Sequence, residues 1–482
     1  VLFASYGFLG LFLPAVLLGC RAAGRLGRRA VLVWLMLASA AFYASYGAAF
    51  LPLVAASIGG NFLAARQMRR WADRPNLRTA VLAGAIGTDL ALLVWGKFGA
   101  AVLPPGLSFL TFTQIGYLLD CGGPDDAGGG LLDYALFAGF FPHVIAGPIP
   151  LGHELLPRLR DARPLRPGAE DLAAGGGIFV IGLLKKTLLA DPLGLLVDPG
   201  FAHPQALSLL PAWQAALAWS LQLYFDFSGY SDMAIGLGRM VGLRYPANFA
   251  SPYQAQSIID YWQRWHITLT RFLTRRLYAP MTLAVMRFRR ARGWPVNRSA
   301  QQRWGGFLSM LALPLLATMA LAGVWHGSGL TFLVFGLLHG GFLTVNHAWR
   351  LFRPGRRRQT AAAIAGRIGL TYLCVLTGAV VFRAASMGDA LAVFAGMLGG
   401  HGIDLTPADM RGLAHAWLDA LWLAGLFGIV WLAPNTQQIM LAADGGRWSW
   451  RPSVGWAVAS GLAAALGLVS LGGTGEFVYF QF

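Results

Sequence analysis

Acidic residues are scarce in this chain. Only 21 Asp and Glu stand against 38 Lys and Arg among 482 residues, and charged side chains together make up 12%. A water-soluble domain carries about 25% charged residues, so an ordinary soluble globular protein is excluded. Cysteine is scarcer still. Cys20, Cys121 and Cys374 show no C-x-x-C spacing, which excludes a zinc ribbon and a disulfide framework. Buried apolar thiols are the expectation for all three, and no metal site is expected. No fixed-period repeat is present, nor a soluble segment of useful size. The longest polar stretches, 153–171 and 287–304, are rich in Arg, Pro or Gly.

What the chain has in abundance is apolar surface: 56% of residues are hydrophobic and the mean hydropathy is +0.55. A bilayer crossing needs about 20 apolar residues. Candidate spans lie near 1–20, 30–48, 50–65, 79–96, 100–119, 131–149, 173–190, 207–227, 230–243, 306–323, 328–347, 362–382, 414–433 and 454–471. Several are short or broken by Gly and Pro and read as re-entrant half-helices. The expected fold is all-α, a single polytopic membrane domain over 1–482 with about 10–12 crossings. The first span has no basic residue before Arg21 and reads as a retained helix, not a cleaved signal peptide.

The net charge of +17 suggests nucleic acid until its placement is considered. Arg21–Arg29, Arg66–Arg78 and the clusters at 158–166, 271–303, 350–358 and 447–451 each sit between apolar runs. That is the pattern of cytoplasmic loops under the positive-inside rule, so no nucleic-acid partner is expected and membrane lipid is the surrounding medium. Loops at 44–52 and 384–413 are poor in basic residues, which places Val1 outside and Arg21–Arg29 in the cytoplasm. Segment 271–303 holds nine Arg and no acidic residue. Just before and overlapping it, 256–278 carries Ile258, Trp262, Trp265, Leu269 and Phe272 at helical spacing among Asp260, Arg264 and Arg271. This predicts a helix lying along the cytoplasmic interface with its Trp rings at headgroup depth.

Ionisable groups within apolar stretches mark candidate functional sites. Three clusters qualify: Tyr224-Phe-Asp-Phe-Ser-Gly-Tyr-Ser-Asp232, Trp262-Gln-Arg-Trp-His266, and Gly323-Val-Trp-His326-Gly-Ser-Gly329 with Leu337-Leu-His339-Gly-Gly341. A neutral histidine can take up and return a proton near neutral pH, which suits His326 to removing a hydroxyl proton during acyl transfer. The plainer reading is a buried, hydrogen-bonded packing histidine. His339 follows 13 residues later, about 220° around a continuous helix. The two share a face only if the glycines between them break the segment.

The three clusters, with Pro246-Ala-Asn-Phe-Ala-Ser-Pro-Tyr253 between the first two, closely resemble the membrane-bound O-acyltransferase family. The resemblance extends through Pro105-Gly-Leu-Ser-Phe-Leu-Thr-Phe-Thr-Gln114, Phe140-Phe-Pro-His-Val-Ile-Ala-Gly-Pro148 and Gly182-Leu-Leu-Lys-Lys186. Late motifs Phe382-Arg-Ala384, Pro434-Asn-Thr-Gln437 and Phe477-Val-Tyr-Phe-Gln-Phe482 continue it. About 155 residues follow His326, a tail that looks like the alginate O-acetyltransferase branch; the teichoic acid D-alanyl branch ends sooner. Departures are Thr274-Arg-Arg276 where Arg-Asp-Tyr is usual, Gln263 for a common Arg, and Gly7 for a common acidic residue.

The resemblance implies a central tunnel through the membrane with His326, the family's invariant catalytic histidine, near its middle and His266 as a second site histidine. Trp325, His339, Asp226 and Asn248 are the candidates for substrate contact. Plainer roles stand beside them: Asp226 and Asp232 pairing with buried donors, Asn248 and Pro252 shaping a turn, Lys185 and Lys186 snorkelling to the cytoplasmic surface. Acetyl-CoA is the implied donor substrate, with no bound cofactor. The implied setting is a bacterial inner membrane, with a periplasmic SGNH-type acetyltransferase partner and a polysaccharide acceptor. Two other classes of function stay open: an acyl-translocating subunit whose partner does the chemistry, and a solute transporter. The repeats with broken helices expected of a transporter are not evident.

Overall fold

The computed structural model describes residues 3–100, 103–161, 167–353, 360–403, 412–441, 448–473 and 477–478. Parts of the basic clusters at 158–166, 350–358 and 447–451, of the 384–413 segment, and of the Phe477–Phe482 motif lie outside them. Among the described residues all regular structure is helical. Seven helical stretches among these residues are long and apolar enough to cross a membrane: Phe8–Leu26, Arg28–Arg70, Pro75–Phe98, Ala169–Ala202, Trp304–His326, Leu330–Phe352 and Ala361–Arg383. Met387–Met397, Leu418–Leu432 and Val454–Val469 are shorter apolar helices. The chain is thus an all-α polytopic membrane protein.

The long crossings are fewer than the apolar runs suggest because several runs become interior helices. The 100–119 run yields only Leu107–Asp120, buried on nearly every side. The 131–149 run breaks at extended Phe140, ahead of Pro142, into Leu131–Gly139 and Phe141–Val144. The separate spans 207–227 and 230–243 are one 32-residue helix, Leu209–Met240. The expected 44–52 loop is a helical bend, in which Ala48–Phe50 forms a 3₁₀ turn between Arg28–Gly47 and Leu51–Arg70. Part of the expected 384–413 loop is the helix Met387–Met397.

The chain forms two compact units, each assembled from three stretches of sequence. One comprises Val1–Leu188, Phe227–Ala247 and Thr436–Thr474. In it Ala169–Leu184 meets the C-terminal part of Leu209–Met240 glycine to glycine. A Cβ on Gly182 would stand 2.5 Å from the Gly229 carbonyl oxygen, and one on Gly236 would stand 2.5 Å from that of Gly175. Small residues let helix backbones approach this closely in a membrane. Some Arg residues of the basic clusters bind within this unit. Arg28 pairs with Asp133, and Arg69 donates to Asp126 at 2.6 and 2.9 Å and to Tyr117 Oη at 3.0 Å. Burial alone would raise the Asp126 carboxyl, but Arg69 and the N–H groups of Gly122 and Gly128 outweigh it and hold it at about 2.

Lys185 does not snorkel to the surface. Its Nζ lies 2.6 Å from Asp232 Oδ2 and 2.9 Å from Thr436 Oγ1, and Thr436 donates to the same carboxylate oxygen at 2.6 Å. Lys186 is likewise buried. A carboxylate inside an apolar core outbids water for an ammonium only when the two are paired, and here three sequence motifs converge to make that pair. The second unit comprises Leu189–Asp226, Asn248–Asn435 and Gly475–Phe482, and it holds all three candidate histidines.

Candidate active site

Trp304–His326 and Leu330–Phe352 form a tightly packed helical hairpin, closed by Gly327-Ser-Gly329. The condition for the two histidines to share a face, a break at the glycines between them, is therefore met. His326 ends its helix, 9% exposed, at the hairpin's tip and not halfway along it. Its ring lies 4.8 Å from that of Trp325, 5.9 Å from Phe335 and 5.3 Å from Phe382. Phe335 in turn lies 4.7 Å from His339. One phenyl ring thus joins the two histidines that a continuous helix would have separated.

His339 is boxed by aromatic rings. Tyr261 stacks at 6.2 Å and Trp262 stands edge-on at 5.3 Å. Opposite, the helix Ala361–Arg383 presents Gly378, where a Cβ would fall 2.3 Å from His339 Nε2. Trp262 Nε1 and His339 Nδ1 are both buried without a hydrogen-bond partner among the described residues. Such groups are rare because desolvation without a partner costs about 1–3 kcal/mol.

The predicted helix over 256–278 is interrupted here. Ile258–Trp262 ends in a turn, His266 takes a left-handed conformation at φ 42°, and helix resumes at Ile267. Trp262 and Trp265 are 7% and 8% exposed, held among Tyr224, Tyr253, Tyr261 and His339 and not facing lipid. The stripe of apolar residues was legible; that its partner is protein and not lipid was not.

Asn248 fastens this turn. Its backbone carbonyl accepts from Ile267 N at 3.0 Å, and its Oδ1 accepts from Thr268 N at 3.2 Å and Thr268 Oγ1 at 2.9 Å. A backbone N–H can only donate, so the atom facing it is the amide oxygen. His266 Nδ1 lies 3.2 Å from that same oxygen and must carry the proton, which leaves the lone pair of neutral His266 on Nε2. The geometry makes Asn248 a positioning residue for His266. Asp226 contributes differently: its Oδ2 accepts from Val478 N at 2.9 Å, tying the C-terminal tail to the core. Arg383 bonds Asp198 at 3.1 Å and lies over Phe201 and Trp219. Phe335 and Gly378 escaped the sequence reading, since a Phe and a Gly in an apolar helix carry no signal of what they touch.

His326 at a hairpin tip and His339 within its second arm are lined by aromatic rings, and His266 lies in a buried turn, in a membrane protein whose described residues form only helices. The chain belongs to the membrane-bound O-acyltransferase family. Residues 128–294 match the profile described as MBOAT, membrane-bound O-acyltransferase family. A peptidoglycan O-acetyltransferase from Helicobacter pylori is 35% identical over 419 residues, covering 77% of this chain and 75% of that one. The probable alginate O-acetylase AlgI of Pseudomonas putida is 33% identical over 456 residues, covering 89% and 87%. A teichoic acid D-alanyltransferase from Bacillus subtilis is 28% identical over 249 residues, covering 50% and 58%. The protein is accordingly a multi-pass membrane acyltransferase.

Proposed function

We propose that the protein moves an acetyl group from cytoplasmic acetyl-CoA to hydroxyls of an extracellular polysaccharide, directly or through a periplasmic SGNH-type partner, in a bacterial inner membrane. The observation that carries this reading is the convergence of His326 and His339 on Phe335 beside Trp262 Nε1 and His339 Nδ1, which have no hydrogen-bond partner among the described residues. An apolar aromatic box with a few unsatisfied polar atoms suits a small acyl chain bearing one polar carbonyl. Acetyl is favoured over D-alanyl because the O-acetyltransferase relatives cover three quarters or more of the chain and the D-alanyltransferase half.

In the proposed step His326 removes the proton from an acceptor hydroxyl as its oxygen attacks the thioester carbonyl. The tetrahedral intermediate then expels the thiolate, the C–S bond breaks, and the imidazolium returns the proton to sulfur. The products are an acyl ester and free CoA. Asn248 holds His266 with its lone pair on Nε2, ready to accept a hydrogen bond from a hydroxyl. Purified protein without any partner is expected to turn over acetyl-CoA in the presence of a hydroxyl acceptor. Turnover only when a partner is added would instead favour the acyl-translocating subunit.

The hairpin also fixes a topology test. Arg303 precedes one arm and Arg350 ends the other, so the positive-inside rule puts exposed Ser328, at the tip, on the outer face. In intact cells Ser328→Cys is expected to react with a membrane-impermeant maleimide and Arg353→Cys is not. The reverse pattern would place the acceptor's entrance on the wrong side.

A further inference from the structure

Away from the histidines, the first unit contains a cavity of about 470 Å³ whose wall carries Arg239, Arg244 and Arg451 against a single acidic residue, Glu170. Three chain segments meet there. Glu170 lies in the first turn of Ala169–Leu184, Arg239 in the last turn of the helix ending at Met240, and Trp450-Arg451-Pro452 just before Val454–Val469. Two apolar helices begin, and one ends, at this cavity. That puts it at the level where hydrocarbon gives way to headgroups. Its remaining wall includes Ile235, Met440, Leu441 and the rings of Tyr245 and Trp450, groups of the kind that meet acyl chains at that depth.

Arg239 Nε is engaged at 3.4 Å by Asp171, which orients its guanidinium. Arg244 and Arg451 are exposed and offer planar forks of N–H donors. The formal balance of the three arginines and one glutamate is positive by two charges. Planar guanidinium groups match phosphate oxygens bidentately, and basic pockets between membrane helices hold lipid headgroups by this chemistry. The volume exceeds what an inorganic phosphate fills and matches a small ligand.

We propose that this cavity binds a phosphate ester, and its interfacial level and apolar wall point to the headgroup of an anionic phospholipid. The phosphates of CoA share the chemistry, and the test separates them. Full-length protein in detergent would be titrated with dioleoyl-phosphatidylglycerol, with dioleoyl-phosphatidylcholine and with CoA, and read by native mass spectrometry. Wild type is expected to retain phosphatidylglycerol over phosphatidylcholine. Arg244→Gln/Arg451→Gln, which spares the Arg239–Asp171 pair, is expected to weaken that retention at least about tenfold, the factor that the loss of one charge-assisted hydrogen bond costs. Glu170→Gln should strengthen it. Loss of CoA binding with phosphatidylglycerol unchanged would keep the phosphate-ester site and assign it to the soluble donor. Unchanged binding of both in the double variant would overturn the proposal. His326→Ala should bind like wild type, so this result stands or falls apart from the chemistry at the histidines.

Discussion

Replacing His326 by Ala is expected to lower acyl transfer about 10²–10⁴-fold, the usual contribution of a positioned general base, while the protein still inserts and folds. In free energy this is roughly 3–5 kcal/mol of lost transition-state stabilisation. The ring also packs against Trp325, Phe335 and Phe382, so removing it leaves a cavity at the tip of the hairpin. His326→Gln fills most of that space without supplying an imidazole and is expected to be as inactive as the alanine variant. Polymer acetyl content by NMR would be measured in cells, with acetyl-CoA turnover in vitro and membrane-fraction protein level as controls. A residue that served only to pack would instead lose yield, thermal stability and activity together, and Gln would restore all three. Wild-type acetylation in either variant at equal expression would remove His326 from the mechanism.

The second large effect concerns folding. Gly182→Ala is expected to destabilise the first unit by about 3 kcal/mol, at the upper end of what overpacking costs. The added methyl would stand 2.5 Å from the carbonyl oxygen of Gly229 and 2.8 Å from the backbone nitrogen of Met233. Backbone atoms have no rotamer to escape into, so the two helices must separate. Gly176 supplies the control, because it lies on the same helix with nothing within 4 Å of where its Cβ would be. Gly176→Ala is expected to be neutral, or to stabilise by up to about 1 kcal/mol through helix propensity. Thermal unfolding in detergent, followed by size-exclusion chromatography of the heated samples, would compare them. Equal melting of the two variants would show that the glycine contact contributes nothing.

These two residues illustrate how unevenly the sequence discloses the structure. His326 is conspicuous because an ionisable group among apolar residues is expensive, and its flanking glycines announce the hairpin. Gly182 and Gly176 look alike in sequence, and only the opposing backbone separates them. The polar stretch Tyr224–Asp232 reads as a break between two crossings, yet it is continuous helix. Asp226 accepts from Val478 N through Oδ2, and Asp232 is paired with Lys185 and Thr436. Those partners lie between 47 and 252 residues away, beyond the reach of any local pattern. The same distance hides the environment of Trp262 and Trp265, whose helical stripe is equally consistent with lipid and with protein until the neighbouring elements are placed. Phe335 joins His326 and His339 only because the chain turns between them.

The left-handed backbone at His266 bears on how that residue can be interrogated. Residues with a Cβ hold this conformation at a cost of roughly 1–2 kcal/mol, and Asn and Gly adopt it most readily. An alanine scan through 266 therefore changes two things at once: it deletes an imidazole, and it leaves a methyl-bearing residue in the strained conformation after the bond to Asn248 that helped hold it there is gone. A loss of activity in His266→Ala would not by itself distinguish chemistry from a sprung turn. His266→Asn keeps a residue tolerant of that backbone and His266→Gly relieves the strain altogether, so the turn can persist in both without the ring. Whatever activity separates those two variants from wild type belongs to the imidazole, and whatever further separates alanine from glycine belongs to the loop.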